Sequence, residues 1–447
     1  MFVGRKKLLP GQMILFGFAA VILIGALLLT LPFATRDRQG ASFADGLFTA
    51  VSATCVTGLV VQDTYTYWSL FGQFVILCLI QIGGMGVVTV AIGLSIFMGR
   101  RIGFGQRFLM QESISAPQVG GIIRMTGFIL HATAAIELGG AVVLSFRFVP
   151  RYGLFKGLWF SLFHAVSAFC NAGFDLMGGA EKYASLTGFA GDPLISLAVP
   201  CLIIVGGIGF GVWDDIRRKK LRLRAYRLQS KLALVMTALL LTLPLAFFFF
   251  YEFSRPAWDT FSTGQRFLAA FFQTVTPRTA GFNTVSLPRM AQPSILLTIF
   301  LMLTGGCPGS TAGGYKTTTL ATMALCVRAV FRKQDGIQCF GRRLPQETLR
   351  QCLTIFVLYL FFFVLGGMIL CCAEGISMEA ALFEAASAIG TVGLSLGVTP
   401  YLGGLSRCVL MFLMFFGRMG GLTMIYALSG NHAPIPGMMP QEKITVG

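Results

Sequence analysis

Charged positions along this chain are sparse and clustered, and between them lie uncharged apolar runs long enough to cross a bilayer, whose hydrocarbon core takes about 20 helical residues. Such runs occupy Gly11 to Phe33, Thr64 to Met98, Leu194 to Trp213, Leu232 to Tyr251, Met290 to Tyr315, Gln351 to Ala373 and the stretch after Tyr401. An eighth, Met125 to Phe146, is interrupted only by His131 and Glu137. The runs fall into pairs, and within each pair lies a shorter apolar piece. A piece of about 10 to 14 apolar residues at membrane depth reads as a re-entrant helix. Non-helical backbone after it is tolerated only where it lines a water-filled or protein-enclosed path. The pattern predicts an all-α polytopic membrane protein of four M1-P-M2 pore modules in pseudo-fourfold arrangement, with eight transmembrane spans and four re-entrant pore loops. Residues 1–98 form the first module, 99–213 a connector and the second, 214–327 a connector and the third, 328–430 a connector and the fourth, and 431–447 a C-terminal tail.

The short pieces carry one signature four times. Phe48-Thr-Ala-Val-Ser-Ala-Thr-Cys-Val-Thr-Gly58-Leu59 returns as Phe163-His-Ala-Val-Ser-Ala-Phe-Cys-Asn-Ala-Gly173-Phe174. It returns again as Phe271-Phe-Gln-Thr-Val-Thr-Pro-Arg-Thr-Ala-Gly281-Phe282 and as Phe383-Glu-Ala-Ala-Ser-Ala-Ile-Gly-Thr-Val-Gly393-Leu394. The glycines are 115, 108 and 112 residues apart (173 minus 58, 281 minus 173, 393 minus 281), too long a period for a solenoid and suited to a small membrane module. One such Thr-Gly-Leu would be an ordinary tight turn; four in register imply a fourfold object.

A desolvated monovalent cation needs several partially negative oxygens in place of its water shell, without fixed charges that would hold it too tightly to leave. Backbone carbonyls meet both needs, and a glycine tolerates the backbone angles that aim them inward. The candidate selectivity-filter residues are therefore Thr54, Cys55, Val56, Thr57 and Gly58; Cys170, Asn171, Ala172 and Gly173; Arg278, Thr279, Ala280 and Gly281; and Gly390, Thr391, Val392 and Gly393. The short helix before each loop points its negative dipole end at the cation. Arg278 has to project away from the axis.

Composition agrees: 55% of the residues are hydrophobic and 12% charged, too little polar cover for a soluble protein of 447 residues. The net charge of +17 raises nucleic-acid binding, but its distribution favours orientation in a membrane. With the N-terminus inside, the inner segments hold 22 of the 35 Lys and Arg and six acids, and the outer segments hold 11 of each, so the inside nets +16 and the outside zero. That follows the positive-inside rule, with the cluster Arg217-Arg218-Lys219-Lys220 near anionic membrane lipid as the strongest contributor. Arg147, Arg151 and Lys156 run against it. The first run follows Arg5-Lys6-Lys7 but is too long for a signal peptide and lacks a small-residue cleavage site before Thr35, so it reads as retained. The 11 cysteines lack metal-ligand spacing and sit mostly in apolar runs. No metal beyond a transported K+ and no resident cofactor is expected.

The four loop sequences, at Cys55 to Leu59, Asn171 to Phe174, Arg278 to Phe282 and Gly390 to Leu394, resemble the filters of the Trk/Ktr/HKT superfamily of potassium transporters, and most closely its KtrB-type membrane subunits. The likeness spans nearly the whole chain; Cys55 departs from the usual small residue, and the extra N-terminal spans of the TrkH type are lacking. The resemblance implies potassium uptake with sodium as a candidate stimulator, a homodimer, and control by a cytoplasmic ring of nucleotide-binding RCK subunits of the KtrA type. It also implies a multi-pass protein of the bacterial cell membrane with both termini cytoplasmic, and no enzyme.

Two more elements fit that resemblance. Thr304-Gly-Gly-Cys-Pro-Gly-Ser-Thr-Ala-Gly-Gly-Tyr-Lys316 looks like the family's intramembrane gate, with Gly305, Gly306, Gly309, Ser310, Gly313, Gly314 and Lys316 as its working residues; a merely kinked helix is the competing reading. A phosphate loop is a poor match, because Tyr315 stands where Lys is required and no strand precedes it. Arg418, with ten uncharged residues before it and thirteen after, is costly at mid-span and functional by default; the resemblance makes it a barrier facing the pore, against the alternative of an Arg that only pairs with a neighbouring helix. Glu137 and His131 fit packing roles. The rival functions are a cation-coupled K+/Na+ symporter with alternating access, which usually has repeats of opposite orientation, and a membrane-embedded enzyme, for which no paired intramembrane carboxylates appear.

Overall fold

Backbone in an apolar run has to satisfy its own hydrogen bonds, and a helix does so within one segment. The computed structural model, which describes residues 10–98, 111, 122–179, 181–220, 222–421 and 424, is accordingly helical, with one two-residue hairpin pairing Gln338–Cys339 with Arg342–Arg343 in the basic stretch that was expected to be a plain connector. The N-terminal cluster Arg5-Lys6-Lys7, most of the connector 99–124 and the tail 431–447 lie outside the described residues.

Each repeat has a leading helix, a short helix, a motif strand and a trailing helix. The leading helices are Pro10–Leu29, Ile122–Tyr152, Leu228–Phe247 extended by a π-turn over Phe248–Glu252, and Gln346–Glu374. These four are long and apolar enough to cross a membrane, and the count among the described residues rises to six if two bent pairs are each taken as one span. Large apolar side chains face outward from them, among them Phe16, Leu27, Leu243, Phe250 and Met368, as a lipid-facing surface requires and a water-facing one would not permit.

The first two trailing segments depart from the expected unbroken spans, whereas the break in the third follows the glycine-rich stretch read from the sequence. In place of one helix over Thr64 to Met98, Leu70–Met85 and Val87–Phe97 meet at 99°. In place of one over Leu194 to Trp213, Pro193–Gly207 and Phe210–Lys219 meet at 91°. The hinge residues explain it: Gly86 (φ 86°, ψ 133°) and Gly209 (φ 97°, ψ 140°) occupy a region open to glycine and closed to side chains. Gly420 ends the helix Gly404–Met419 with the same geometry (φ 80°, ψ 132°). The third trailing segment is interrupted more widely, with Gln292–Leu303 and Thr317–Phe331 separated by the glycine-rich loop.

The short helices are Phe43–Thr54, Leu154–Phe169, Thr263–Val275 and Met378–Ile389. The longest, with 16 residues, rises about 24 Å, less than the ~30 Å of a hydrocarbon core. Ser42, Ser262 and Ser377 cap three of them through their hydroxyls; the second starts at Gly153 without a side-chain cap. Each short helix packs on the trailing helix of the repeat before it, and the first packs on that of the fourth. The Arg407–Asp45 ion pair at 2.9 Å joins those last two, so the repeats form a closed ring.

Two glutamates, Glu252 buried and Glu374 half-buried, brace the rim on one side of this ring. Glu252, at the end of the third leading segment, accepts from the Ala291 N–H at 3.1 Å and the Ser294 hydroxyl at 2.6 Å. Glu374, at the end of the fourth, accepts from the Gly403 N–H at 2.8 Å and the Ser406 hydroxyl at 2.5 Å. Each carboxylate thereby caps the N-terminus of its trailing helix, where the helix dipole favours negative charge. On the opposite side, the basic cluster is folded by Asp214 and Asp215, paired with Arg218 at 2.7 Å and Lys219 at 2.8 Å.

Candidate functional site

At the centre of the ring the four motif glycines meet. Gly58, Gly173, Gly281 and Gly393 all have positive φ, between 70° and 92°. A Cβ on Gly58 would strike the Ala172 carbonyl, one on Gly173 the Ala280 carbonyl, one on Gly281 the Val392 carbonyl, and one on Gly393 the Thr57 carbonyl. The succession 1, 2, 3, 4 and back to 1 closes without a gap. The carbonyls of Thr57, Ala172, Ala280 and Val392 accept no hydrogen bond among the described residues.

Two residues before each glycine the backbone is again left-handed, at Val56 (57°), Asn171 (59°), Thr279 (66°) and Thr391 (51°). Three of these are β-branched, for which that conformation is strained by an order of 1–3 kcal/mol. Alternating handedness turns successive carbonyls toward the same side, which an ordinary strand cannot do. Thr54 is the last residue of its helix, so the first strand starts at Cys55 rather than at Thr54 as expected. Arg278 is buried, and its guanidinium reaches the Thr237 hydroxyl of the third leading helix at 3.4 Å, away from the ring.

The strained strands are held from behind by hydroxyls. The N–H groups of Gly58 and Gly393 donate to Ser52 Oγ at 3.1 Å and Ser387 Oγ at 3.0 Å, while Ser167 Oγ donates to the Phe174 carbonyl at 2.7 Å and Thr276 Oγ to that of Phe282 at 2.5 Å. In the third repeat the buried aromatic is Phe272 rather than Phe271, a shift of one residue that brings Thr276 into the serine's place. One position after the buried Phe, His164 Nε2 accepts from the Leu176 N–H at 3.4 Å and Glu384 Oε1 from the Leu396 N–H at 3.1 Å. Those two N–H groups each lie three residues past a motif glycine, in repeats that face each other across the ring.

On one side the glycines open into a cavity of ≈ 580 Å³ that also exposes Val60, Asp175, Asn283 and Ser395, the residues two past each glycine. Burial, together with neighbouring Asp63, pushes the Asp175 carboxyl up to about 7. On the other side lies the loop 304–316. Its Thr311 hydroxyl donates to the Phe169 carbonyl at 3.0 Å and Asn171 Oδ1 at 3.1 Å, and a Cβ on Gly313 would run into Thr391. The loop is therefore seated against strands two and four. Gly305 N–H donates to the Tyr315 carbonyl at 2.9 Å, Phe210 N–H to the Gly309 carbonyl at 2.7 Å, and Lys316 Nζ turns back onto the Ala312 carbonyl at 2.7 Å. Arg418 donates to the carbonyls of Thr311, Gly83 and Gly84. Beneath them a cavity of ≈ 250 Å³ is lined by Gly86, Gly309, Ser310, Gly314, Lys316 and Arg418 among others. Gly306 lies farther back, against Ala312 and the Gly207 carbonyl.

Three features were not read from the sequence. The trailing segments carry Gly83-Gly-Met-Gly86, Gly206-Gly-Ile-Gly209, Gly305-Gly-Cys-Pro308 and Gly417-Arg-Met-Gly420, which begin 25, 33, 24 and 24 residues after the motif glycines; that recurrence was available as a signal. Within it, Gly83, Gly206 and Gly417 lie against the last carbonyls of the short helices, those of Thr54, Phe169 and Ile389, and Arg418 replaces the second glycine. The buttressing hydroxyls were inside the motif but not singled out. Glu137 is buried and accepts from Gln81 Nε2 at 3.0 Å, with Cys170 Sγ 3.7 Å away, partners that no local pattern announces. His131 is exposed and bonds the Gly127 carbonyl of its own helix at 2.7 Å.

The family profile of TrkH, described as a cation transport protein, matches residues 17–433. The chain is 40% identical over 449 residues to the potassium/sodium uptake protein NtpJ of Enterococcus hirae, covering 99% of this chain and 98% of that one. It is 39% identical over 421 residues to the Ktr system potassium uptake protein B of Bacillus subtilis, covering 94% and 93%. Among solved structures, the potassium transporter TrkH from Vibrio parahaemolyticus superposes with a TM-score of 0.73 over 96% of this chain and 86% of that one, at 19% identity.

Proposed function

The chain belongs to the TrkH family of cation transport proteins, and from that premise we propose that it is the ion-translocating membrane subunit of a potassium uptake system of the Ktr/Trk kind. The observation that carries the reading is the closed ring of carbonyls from Thr57, Ala172, Ala280 and Val392, one per repeat, which accept no hydrogen bond among the described residues. Such oxygens replace the hydration shell of a monovalent cation without the fixed charge that would trap it. The four short helices end at these strands and add their negative dipole ends.

In this reading the eight leading and trailing segments span the membrane, and the short helices with their strands are re-entrant. The residues 55–58, 170–173, 278–281 and 390–393 form the selectivity filter, with Thr54 closing the short helix before the first strand, and the module boundaries are those expected from the pattern. Potassium collects in the ≈ 580 Å³ vestibule, loses water in the ring and meets the loop 304–316 below it. That loop, with Gly305, Gly306, Gly309, Ser310, Gly313, Gly314 and Lys316, is the gate; it is held by Arg418, whose charge also opposes a cation there. The orientation with basic segments inside makes transport an inward, channel-like flow in a bacterial cell membrane. A homodimer controlled by a cytoplasmic ring of RCK subunits completes the proposal, supported by the likeness to a protein named as part of a Ktr system.

A second reading has two observations in its favour: broken trailing helices are also what coupled carriers use, and the E. hirae relative's name includes sodium. Rubidium uptake into proteoliposomes under imposed voltage, with and without a sodium gradient, separates the two. A pore follows the voltage alone; a fixed sodium-to-rubidium stoichiometry would overturn the channel-like mechanism in favour of a symporter.

A further inference from the structure

Between the first and second repeats, on the vestibule side, lies an open groove of ≈ 980 Å³ bounded by the end of the first leading helix, the start of its trailing helix and the start of the second short helix. Its lining includes three cations, Arg36, Arg38 and Lys156, and no carboxylate. Four other basic residues on this rim are paired with acids, Arg147 with Asp192 at 2.9 Å, Arg255 with Glu252 at 2.9 Å, Arg266 with Asp259 at 3.2 Å and Arg407 with Asp45 at 2.9 Å, while Arg151, Lys182 and Arg289 stand singly rather than in a cluster of three. Arg36 and Lys156 instead converge on the ring of Tyr65, 4.2 and 4.8 Å from its centre. The nearby Lys156 ammonium, with Arg36 adding to it, holds the Tyr65 hydroxyl below its ordinary range. Asp37, between the two arginines, turns its carboxylate to the Gln39 N–H at 3.1 Å.

Three like charges held close together repel one another, and the positive-inside rule disfavours them on this side of a membrane. The second short helix adds to the positive potential: it is the one whose N-terminus lacks a side-chain cap, and Lys156 is in its first turn. Beside the cations the wall is apolar and open, with Phe33 54%, Leu70 65% and Phe155 88% exposed. A free phosphate would leave this wall uncovered, and an acidic peptide would not need it.

We propose that the groove binds one anionic phospholipid of the leaflet facing the vestibule, with its phosphate among Arg36, Arg38 and Lys156 and an acyl chain along Phe33, Leu70 and Phe155. The inference rests on the reading that the apolar helices span a membrane, with this rim at its interface. Aromatic residues mark that level in membrane proteins, and Trp159 and Tyr65 line the groove. Trp159 donates to Gln73 at 2.9 Å across the seam between the second short helix and the first trailing helix, so a bound lipid would touch both.

The test is native mass spectrometry of the delipidated full-length protein with phosphatidylglycerol, phosphatidylcholine and tail-free glycerophosphoglycerol. Wild type should retain phosphatidylglycerol in preference to phosphatidylcholine, and glycerophosphoglycerol at equal concentration should not displace it. Changing Arg36, Arg38 and Lys156 to Gln should lower retention about fivefold per cation removed, whereas the swaps Arg36→Lys, Arg38→Lys and Lys156→Arg should keep it and Arg266→Gln should not alter it. Equal retention by wild type and the triple Gln variant would overturn the proposal. So would displacement by the tail-free headgroup, or a triple variant that changes the dimer fraction while keeping its lipid, which would make the occupant a second copy of the chain. Rubidium uptake tests the transport reading separately, so the failure of either is distinguishable from the failure of the other.

Discussion

Arg418 reaches three carbonyls, those of Thr311, Gly83 and Gly84, so one side chain ties the glycine-rich loop to the first trailing helix while presenting positive charge beneath the ring. Arg418→Ala should raise rubidium flux several-fold at equal surface expression, and Arg418→Lys, which keeps charge but loses the fork, should fall between. Unchanged or lower flux in a well-folded Ala variant would make Arg418 structural only. Asp175 supplies a second expectation. Its carboxyl, pushed up to about 7 by burial with Asp63 nearby, is charged above that pH and neutral below it. Acidifying the vestibule side from pH 8 to pH 6 should therefore reduce uptake, and Asp175→Asn should be low and flat across that range; an unaltered pH profile in the variant would remove Asp175 from the cation's path. At this scale the sequence was legible where a residue's position decides its surroundings. A charge in a strand whose carbonyls face inward has to point outward, and Arg278 does so. Glu137 was not legible, because Gln81 meets it from 56 positions away.

Among the elements, the loop 304–316 is the one whose removal should be felt first. Deleting 305–314 takes away the contacts with Asn171, Thr391 and Arg418 and should raise flux and blunt regulation by partner subunits; a deletion variant that folds yet conducts no faster would contradict the gate. The rim clasps should act on stability instead. Glu374→Ala leaves the Gly403 N–H and Ser406 hydroxyl without their acceptor, and thermal unfolding in detergent should show a loss of about 1–3 kcal/mol with little change in ion preference. The short helices were legible from length alone, since an apolar piece bounded by polar turns and too short to cross has one sensible place. The bends were not. A glycine inside an apolar run looks the same whether a helix merely tolerates it or needs its positive φ, and the recurrence of Gly-Gly-x-Gly distinguishes the cases only when the four repeats are aligned beyond the motif. The same lack of a local signal hid the register shift from Phe271 to Phe272.

For the whole molecule, the fourfold arrangement was foreseeable because four copies of one motif at even spacing have few ways to share a centre, and the ring of Gly58, Gly173, Gly281 and Gly393 is that centre. Orientation rests on charge. In a background with the 11 cysteines replaced, Arg217→Cys should react with a membrane-impermeant thiol reagent only from the cytoplasmic side, and labelling from outside would invert the topology. The central claim is that the four loops select the ion, and the most direct measurement is the rubidium-to-sodium uptake ratio of Gly58→Ser, Gly173→Ser, Gly281→Ser and Gly393→Ser. The control is Gly17→Ser, whose Cβ would meet only Val87 at 3.5 Å, an ordinary contact. A Cβ in the ring displaces a neighbouring carbonyl and leaves fewer oxygens for the larger ion, while sodium keeps a water in the gap. The ratio should fall in all four variants, unequally because the loops differ in sequence, and stay at the wild-type value in the control. A ratio unchanged in all four, with the proteins present in the membrane, would contradict the assignment of these loops as the selectivity filter.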